Sequence, residues 1–163
     1  MKKIIQSYFN VILVVLISTP ASAREDSRPN SIGGDYIFEV VSGFISEEQK
    51  TNFELGFDFE TFIPGTDHHI SLGLSSEIEF SDHERRRYFF GPLLSYYYRH
   101  FKIFLSSGMQ TDFDEYEKWK SRIGLGYEVV WLKHWLVVPT IAMDHVEGKL
   151  YPAYSIGLAC EFY

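Results

Sequence analysis

Beyond Gly34 the chain alternates. In Phe53–Glu60, Phe53, Leu55, Phe57 and Phe59 share one face, and Glu54, Gly56, Asp58 and Glu60 share the other. A period of two is the signature of a strand with two unlike faces. The same pattern sets Ile70, Leu72, Leu74, Ile78 and Phe80 against Ser71, Gly73, Ser75, Glu77 and Glu79. It recurs over 119–131, where Trp119, Ile123, Leu125, Tyr127, Val129 and Trp131 oppose Lys120, Arg122, Gly124, Gly126 and Glu128. A fourth run sets Tyr154, Ile156, Leu158, Cys160 and Phe162 against Ala153, Ser155, Gly157, Ala159 and Glu161. Weaker alternation supplies four more segments. Together the pattern predicts strands near 35–44, 52–62, 69–80, 88–99, 101–109, 118–131, 135–145 and 150–162. No helical period persists. Most of these runs exceed the usual five or six residues of soluble strands and suit a tilted membrane-crossing strand of about 9–11 residues.

Alternation leaves open which face meets water, because a soluble lipocalin-like barrel also alternates, with its apolar face inward. Glycine decides. Eight of the 12 glycines (Gly43, Gly56, Gly73, Gly91, Gly108, Gly124, Gly126 and Gly157) fall in these strands, all opposite the main apolar row. Glycine weakens a strand and gains nothing on a roomy wet face, but it relieves crowding in the interior of a small barrel. The polar face therefore points inward. The expected fold is all-β, a closed eight-stranded antiparallel up-and-down transmembrane β-barrel over 35–163. An even strand number permits closure of an antiparallel sheet.

The inward parity then brings Glu54, Asp58, Glu60, Glu77, Glu79 and Glu128 together with Arg99, Lys102, Lys120 and Arg122. Glu39, Asp144 and Glu161 share that parity. Lys120 and Arg122 are expected to meet Glu54, with Glu77 and Glu79 nearby, and Lys102 to meet Glu60, Glu128 or Glu161. Buried charge demands partners, so a salt-bridged plug is expected. The rival reading is a narrow cation-favouring path lined by surplus carboxylates. Aromatics collect at both strand ends: Tyr96, Tyr98, Trp131, Trp135 and Phe162 at one, and Phe44, Phe53, Phe80, Tyr88, Trp119 and Tyr151 at the other. Such bands suit the two interfaces of a bilayer. Connections 45–51, 81–87, 110–117 and the shorter 146–149 lie at one end, and 63–68, His100 and 132–134 at the other. The first set is more charged and, in three of four cases, longer, which assigns it to the outer side.

The first 23 residues, MKKIIQSYFNVILVVLISTPASA, carry two lysines, an apolar centre and an A-x-A site, the pattern of a cleaved secretory signal peptide. Residues 24–34 (REDSRPNSIGG) read as a flexible leader. Without Lys2 and Lys3 the net charge moves from −7 to about −9, with 13 basic against 22 acidic residues. Nucleic acid is excluded as the main partner, because phosphate binding needs a basic surface. A single cysteine, Cys160, excludes an intrachain disulfide and a multi-thiolate metal site. No cofactor and no metal site is expected.

The long alternating strands and the closing run SIGLACEFY resemble the small eight-stranded outer-membrane β-barrels, the OmpA transmembrane domain and OmpX class. That resemblance implies residence in the cell outer membrane, contact with its lipid and lipopolysaccharide, and a monomer. It also implies recognition by the barrel-assembly machinery through the last strand, where Phe162 keeps the outward parity and Tyr163 lies one residue beyond it. The task it implies is structural or surface-interacting. Small barrels also include lipid A-modifying enzymes, which makes the histidines candidates: His68, His69, His83, His100, His134 and His145 all lie at strand ends or in connections. His68 and His69 are adjacent and point to opposite faces. Lipid A 3-O-deacylases pair His-x-Ser on a late strand, but here Glu147 stands at the serine position after His145. No catalytic residue is assigned. Arg85, Arg86 and Arg87 of the SDHERRR connection are placed to approach lipopolysaccharide phosphates.

Overall fold

The computed structural model describes residues 35–47, 50–67, 69–80, 86–112, 117–132 and 134–162. The signal peptide, the leader, His68, His83, Arg85 and Tyr163 lie outside the described residues. Nine strands follow in chain order: β1 (Tyr36–Glu47), β2 (Lys50–Phe62), β3 (Ile70–Phe80), β4 (Arg86–Tyr98), β5 (Phe101–Thr111), β6 (Glu117–Tyr127), β7 (Val129–Leu132), β8 (Trp135–Val146) and β9 (Lys149–Phe162). Segments β6 and β7 are one stave interrupted at Glu128, since both pair with β8. Consecutive staves pair antiparallel, and β1 pairs with β9, so eight staves close into a barrel.

The faces divide as the glycine argument requires. Phe57 and Phe59 are 43% and 42% exposed, whereas Glu54 and Glu60 of the same strand are 2% and 0% exposed. A β-carbon on Gly157 would collide with the carboxylate of Glu39, and one on Gly73 with the Phe59 carbonyl. Gly91 and Gly108 face each other across β4 and β5 at a spacing that admits no side chain. The interior is full.

Two expectations are corrected. First, the connections are shorter than the apolar alternation suggested, because strands continue to Glu47, from Lys50, from Arg86 and to Thr111. Ser46 pairs with Thr51 and Glu47 with Lys50, extending the ladder into polar sequence. The hydrophobic period stops where the apolar belt stops, while backbone pairing goes on. The longest connection, 63–69, lies at the end carrying both chain termini, so connection length does not mark the outer side. The 146–149 connection contracts to Glu147 and Gly148, both with positive φ (51° and 80°), the backbone of a type I′ hairpin turn.

Second, the interior is not uniformly polar. Ile37, Phe62, Tyr97, Leu136, Val138 and Ala159 form a buried apolar cluster across the lumen near the terminal end. Towards the opposite end Ile45, Phe89, Val146 and Ala153 also point inward and are buried. Strand β4 is apolar on both faces, with Phe89, Leu93 and Tyr97 inside and Tyr88, Phe90, Leu94, Tyr96 and Tyr98 outside.

Candidate functional site: the charged lumen

Between the two apolar ends, the inward positions of β1, β2, β3, β5, β6 and β8 assemble the lumen charges in tiers. In the central tier Arg122 is chelated. Its Nη2 lies 2.7 Å from Glu54 Oε2 and 2.7 Å from Asp144 Oδ2, Nη1 reaches Glu77, and Nε reaches Asp144 Oδ1. Lys120 Nζ bridges Glu77 (2.7 Å) and Asp144 (2.9 Å), and lies 5.3 Å from the centre of the Phe89 ring. Arg122 and Asp144 stand opposite each other in the β6–β8 register, whereas Glu54 and Glu77 arrive from the far wall.

The tier nearer the termini centres on Lys102. Its Nζ lies 2.7 Å from both Glu39 Oε2 and Glu60 Oε1. Glu60 also accepts hydrogen bonds from Ser71 and from the Tyr97 hydroxyl (3.1 and 3.2 Å). Asp58 sits between the tiers on a cavity of about 20 Å³ lined also by Glu39, Ser75, Glu77, Lys102 and Arg122. That is room for about one water molecule.

A third cluster closes the opposite mouth. Glu79 accepts from Asn52 Nδ2 (2.6 Å), Gln110 Nε2 (3.0 Å) and Arg87 Nη1 (3.2 Å), and Arg87 also pairs with Glu47 (2.7 Å). Arg87, expected on an outer connection, instead points into the mouth, because β4 begins one residue before it. Arg86 takes the outward position, 5.9 Å from the Phe80 ring. Glu79 thus pairs with Arg87, while Lys120 pairs with Glu77 and Asp144.

Of the ten charges expected in the lumen, the structure brings Glu54, Asp58, Glu60, Glu77, Glu79, Lys102, Lys120 and Arg122 into these tiers. Glu128 is buried at the β6–β7 interruption, where its backbone N–H donates to the His100 carbonyl (2.7 Å). Arg99 does not belong. Strand β4 ends at Tyr98, and Arg99 turns outward at φ +56°, its guanidinium 5.5 Å from the Tyr98 ring. The sequence pattern missed Glu47, Asn52, Arg87, Gln110 and Tyr97, and it placed Ser71 on the inward face without its bond to Glu60. Extending the parity of β2 and β4 by one pair of residues places Asn52 and Arg87 inside.

Phe53, Phe80, Tyr96, Tyr98, Trp119, Trp131, Trp135 and Phe162 are exposed, and Tyr88 is half-buried on the same outer register as Phe80 and Phe90. The outer rings also touch: Phe53 lies 5.8 Å from Phe80, and Tyr36 lies 5.8 Å from Phe162. Tyr151 is the exception among the expected girdle residues. It stands opposite Asp144 in the β8–β9 register and so shares the inward face. His145 is exposed on the outer face, opposite Ser121 of β6.

A closed eight-stave barrel with exposed apolar residues and buried ion pairs is a transmembrane β-barrel in architecture, of the small outer-membrane kind. No family model and no curated protein matches this chain. Among solved structures, the Neisserial surface protein A superposes with a TM-score of 0.55 at 9% identity, covering 78% of this chain and 96% of that one. The N-terminal β-barrel domain of Pseudomonas aeruginosa OprF gives 0.52 at 11% identity, covering 79% and 99%. The de novo designed barrel TMB2.3 gives 0.55 at 14% identity, covering 80% and 95%. The likeness is one of fold.

Proposed function

We propose that this chain is an integral outer-membrane protein, exported through a cleaved signal peptide, whose barrel is a sealed and monomeric membrane anchor with structural or surface-interaction duties. One observation carries this reading: a continuous outer surface of exposed phenylalanine, leucine, isoleucine and tryptophan wraps a lumen of buried ion pairs. In water that arrangement would expose the apolar face and bury charge without gain. In a bilayer the apolar face meets acyl chains, the lumen keeps the charges out of hydrocarbon, and closure leaves no strand edge unpaired there. Aromatic rings at both ends of the staves suit the two interfaces, with lipid and lipopolysaccharide as surroundings. Strand β9, ending at Phe162 beside Tyr36, offers the alternating face that assembly machinery would engage.

The apolar cluster of Ile37, Phe62, Tyr97, Leu136, Val138 and Ala159 argues against the ion-conducting alternative, because it fills the lumen below Lys102. The test is membrane fractionation together with gel mobility before and after boiling. The mature chain is expected in the outer-membrane fraction, with faster migration when unboiled. A soluble fraction with no mobility shift refutes the proposal.

A further inference from the structure

On the outer face of the wall built by β5, β6 and β8, the cross-strand register stacks three rows. Met109 stands beside Trp119 in the upper row, and Leu105, Ile123 and Met143 form the lower one. Between them Ser107, Ser121 and His145 stand side by side. A polar row between two apolar rows is out of place on a surface that faces acyl chains. Its internal bonding is also incomplete. Trp119 Nε1–H donates to Ser107 Oγ at 3.0 Å, and Ser107 Oγ lies 2.7 Å from Ser121 Oγ. Two serine hydroxyls carry two protons, and their mutual bond uses one. The other is engaged in no hydrogen bond with a described residue. His145, exposed beside Ser121, adds a further donor and acceptor.

An unsatisfied donor in hydrocarbon is costly, so a partner is required. We infer that Ser107, Ser121 and His145, with Trp119 above them, bind the acyl-level polar groups of a hydroxyacylated glycolipid of the lipopolysaccharide type. The inference rests on the membrane reading given above. The row offers both donors and acceptors. A glycerophospholipid presents only ester acceptors at that depth, whereas a hydroxyacylated glycolipid presents hydroxyl and amide donors as well. Exposed Met109, Leu105, Ile123 and Met143 receive the chains on either side. His145 is the next-to-last residue of β8, whereas Ser107 lies four residues inside the end of β5, so the row descends from the rim into the apolar belt.

Trp119 is 62% exposed and is one of three tryptophans, so Trp131→Phe with Trp135→Phe leaves it as the sole reporter. In phosphatidylethanolamine vesicles, a rising mole fraction of purified lipopolysaccharide is expected to change Trp119 emission to saturation. Ser121→Ala with His145→Phe is expected to raise the half-saturating fraction about fivefold or more, the factor expected for one lost hydrogen bond or more. Ser121→Ala alone is expected to give an intermediate shift and serves if the double variant does not fold. An unchanged half-saturation in variants that keep their boiling-dependent mobility overturns the lipid site while leaving the membrane reading intact. So does an equal response to phosphatidylethanolamine alone, or chemical cross-linking of two copies through this wall. Loss of the mobility shift in the parent chain overturns the membrane reading itself.

Discussion

Replacing Arg122 with methionine is the sharpest test of the lumen. Arg122 touches three carboxylates, Glu54, Glu77 and Asp144, and its tier holds one other cation, Lys120. As ionised groups these sum to −1, and the substitution takes them to −2 in a space with room for little water. Removing one partner of a buried ion pair costs about 3–5 kcal/mol, because the remaining charge keeps its desolvation cost without its counterion. The loss is expected at the upper end of that range here, since three acceptors lose a shared donor. The control is Lys118→Met, which breaks a pair with Glu147 whose side chains are 35% and 60% exposed; about 0–1 kcal/mol is expected there. A third variant combines Arg122→Met with Glu54→Gln and Asp144→Asn, leaving Glu77 paired with Lys120. Its tier is neutral with the one cation still paired, and it is expected to regain most of the loss. The assay is reversible urea unfolding in lipid vesicles, followed by tryptophan fluorescence and by gel mobility without boiling. The reasoning fails if Arg122→Met and Lys118→Met cost the same, or if the neutralised variant is no more stable than Arg122→Met.

Other consequences are direct. Phe57→Arg, at mid-strand on the outer face, is expected to cost about 2–4 kcal/mol in vesicles, and a cost near zero in the same unfolding assay would deny that Phe57 faces lipid. Gly157→Val would drive a side chain into the Glu39 carboxylate and cost about 1–3 kcal/mol, read as a lower urea midpoint; an unchanged midpoint would mean that the lumen is looser than described. Planar-bilayer recordings of the parent chain are expected to show no steady conductance. Phe62→Ala with Leu136→Ala, which hollows the apolar cluster, is expected to raise it; steady cation current in the parent would restore the pore reading. Gly148→Val places a β-branched residue at φ +80° and is expected to cost about 1–2 kcal/mol without altering membrane insertion.

How much of this was legible in the chain depends on how unlike the two faces of each stave are. In β2, Phe53, Leu55, Phe57 and Phe59 against Glu54, Gly56, Asp58 and Glu60 leave one register possible, and the strand with its three lumen carboxylates follows from the pattern. In β4 both faces are apolar. The parity of Gly91 set Tyr88, Tyr96 and Tyr98 outward, but Phe89, Leu93 and Tyr97 opposite them carry no polar mark of a lumen face, and the apolar closure of the lumen stayed hidden. Strand ends were hidden for another reason. Backbone pairing of Ser46–Glu47 with Lys50–Thr51 needs no hydrophobic alternation, so Arg87 and Glu47 read as connection residues although they are part of the wall. Arg99 failed because parity counted through a strand end loses its meaning once the chain turns. Ion-pair partners were legible by parity but not by identity, since which acid meets which base across a lumen depends on stagger, and stagger is invisible in a single strand.

The same unlikeness of faces explains why a barrel whose lumen is packed with apolar side chains towards both ends keeps charges between them. A one-residue slip of β6 against β5 or β8 would put Lys120 and Arg122 into lipid and Ile123 among carboxylates, so the ion pairs penalise every wrong register at once. An apolar lumen would pack as well and penalise none. Strand β4 lacks this protection, with Pro92 interrupting its ladder to β5 between Phe90 and Leu93. There register is held at three points: Arg87 on Glu79 at the mouth, Gly91 against Gly108 at mid-height, and the Tyr97 hydroxyl on Glu60 below. Arg87→Met combined with Tyr97→Phe removes two of the three while leaving every apolar contact nearly intact. Cross-linking between cysteines introduced at Leu94 and Leu105, opposite each other in the native register, is expected to fall in that variant while pairs placed across β6 and β8 are unaffected. Equal cross-linking at both seams would mean that packing alone sets the register of β4, and the specificity assigned to the lumen charges would be lost with it.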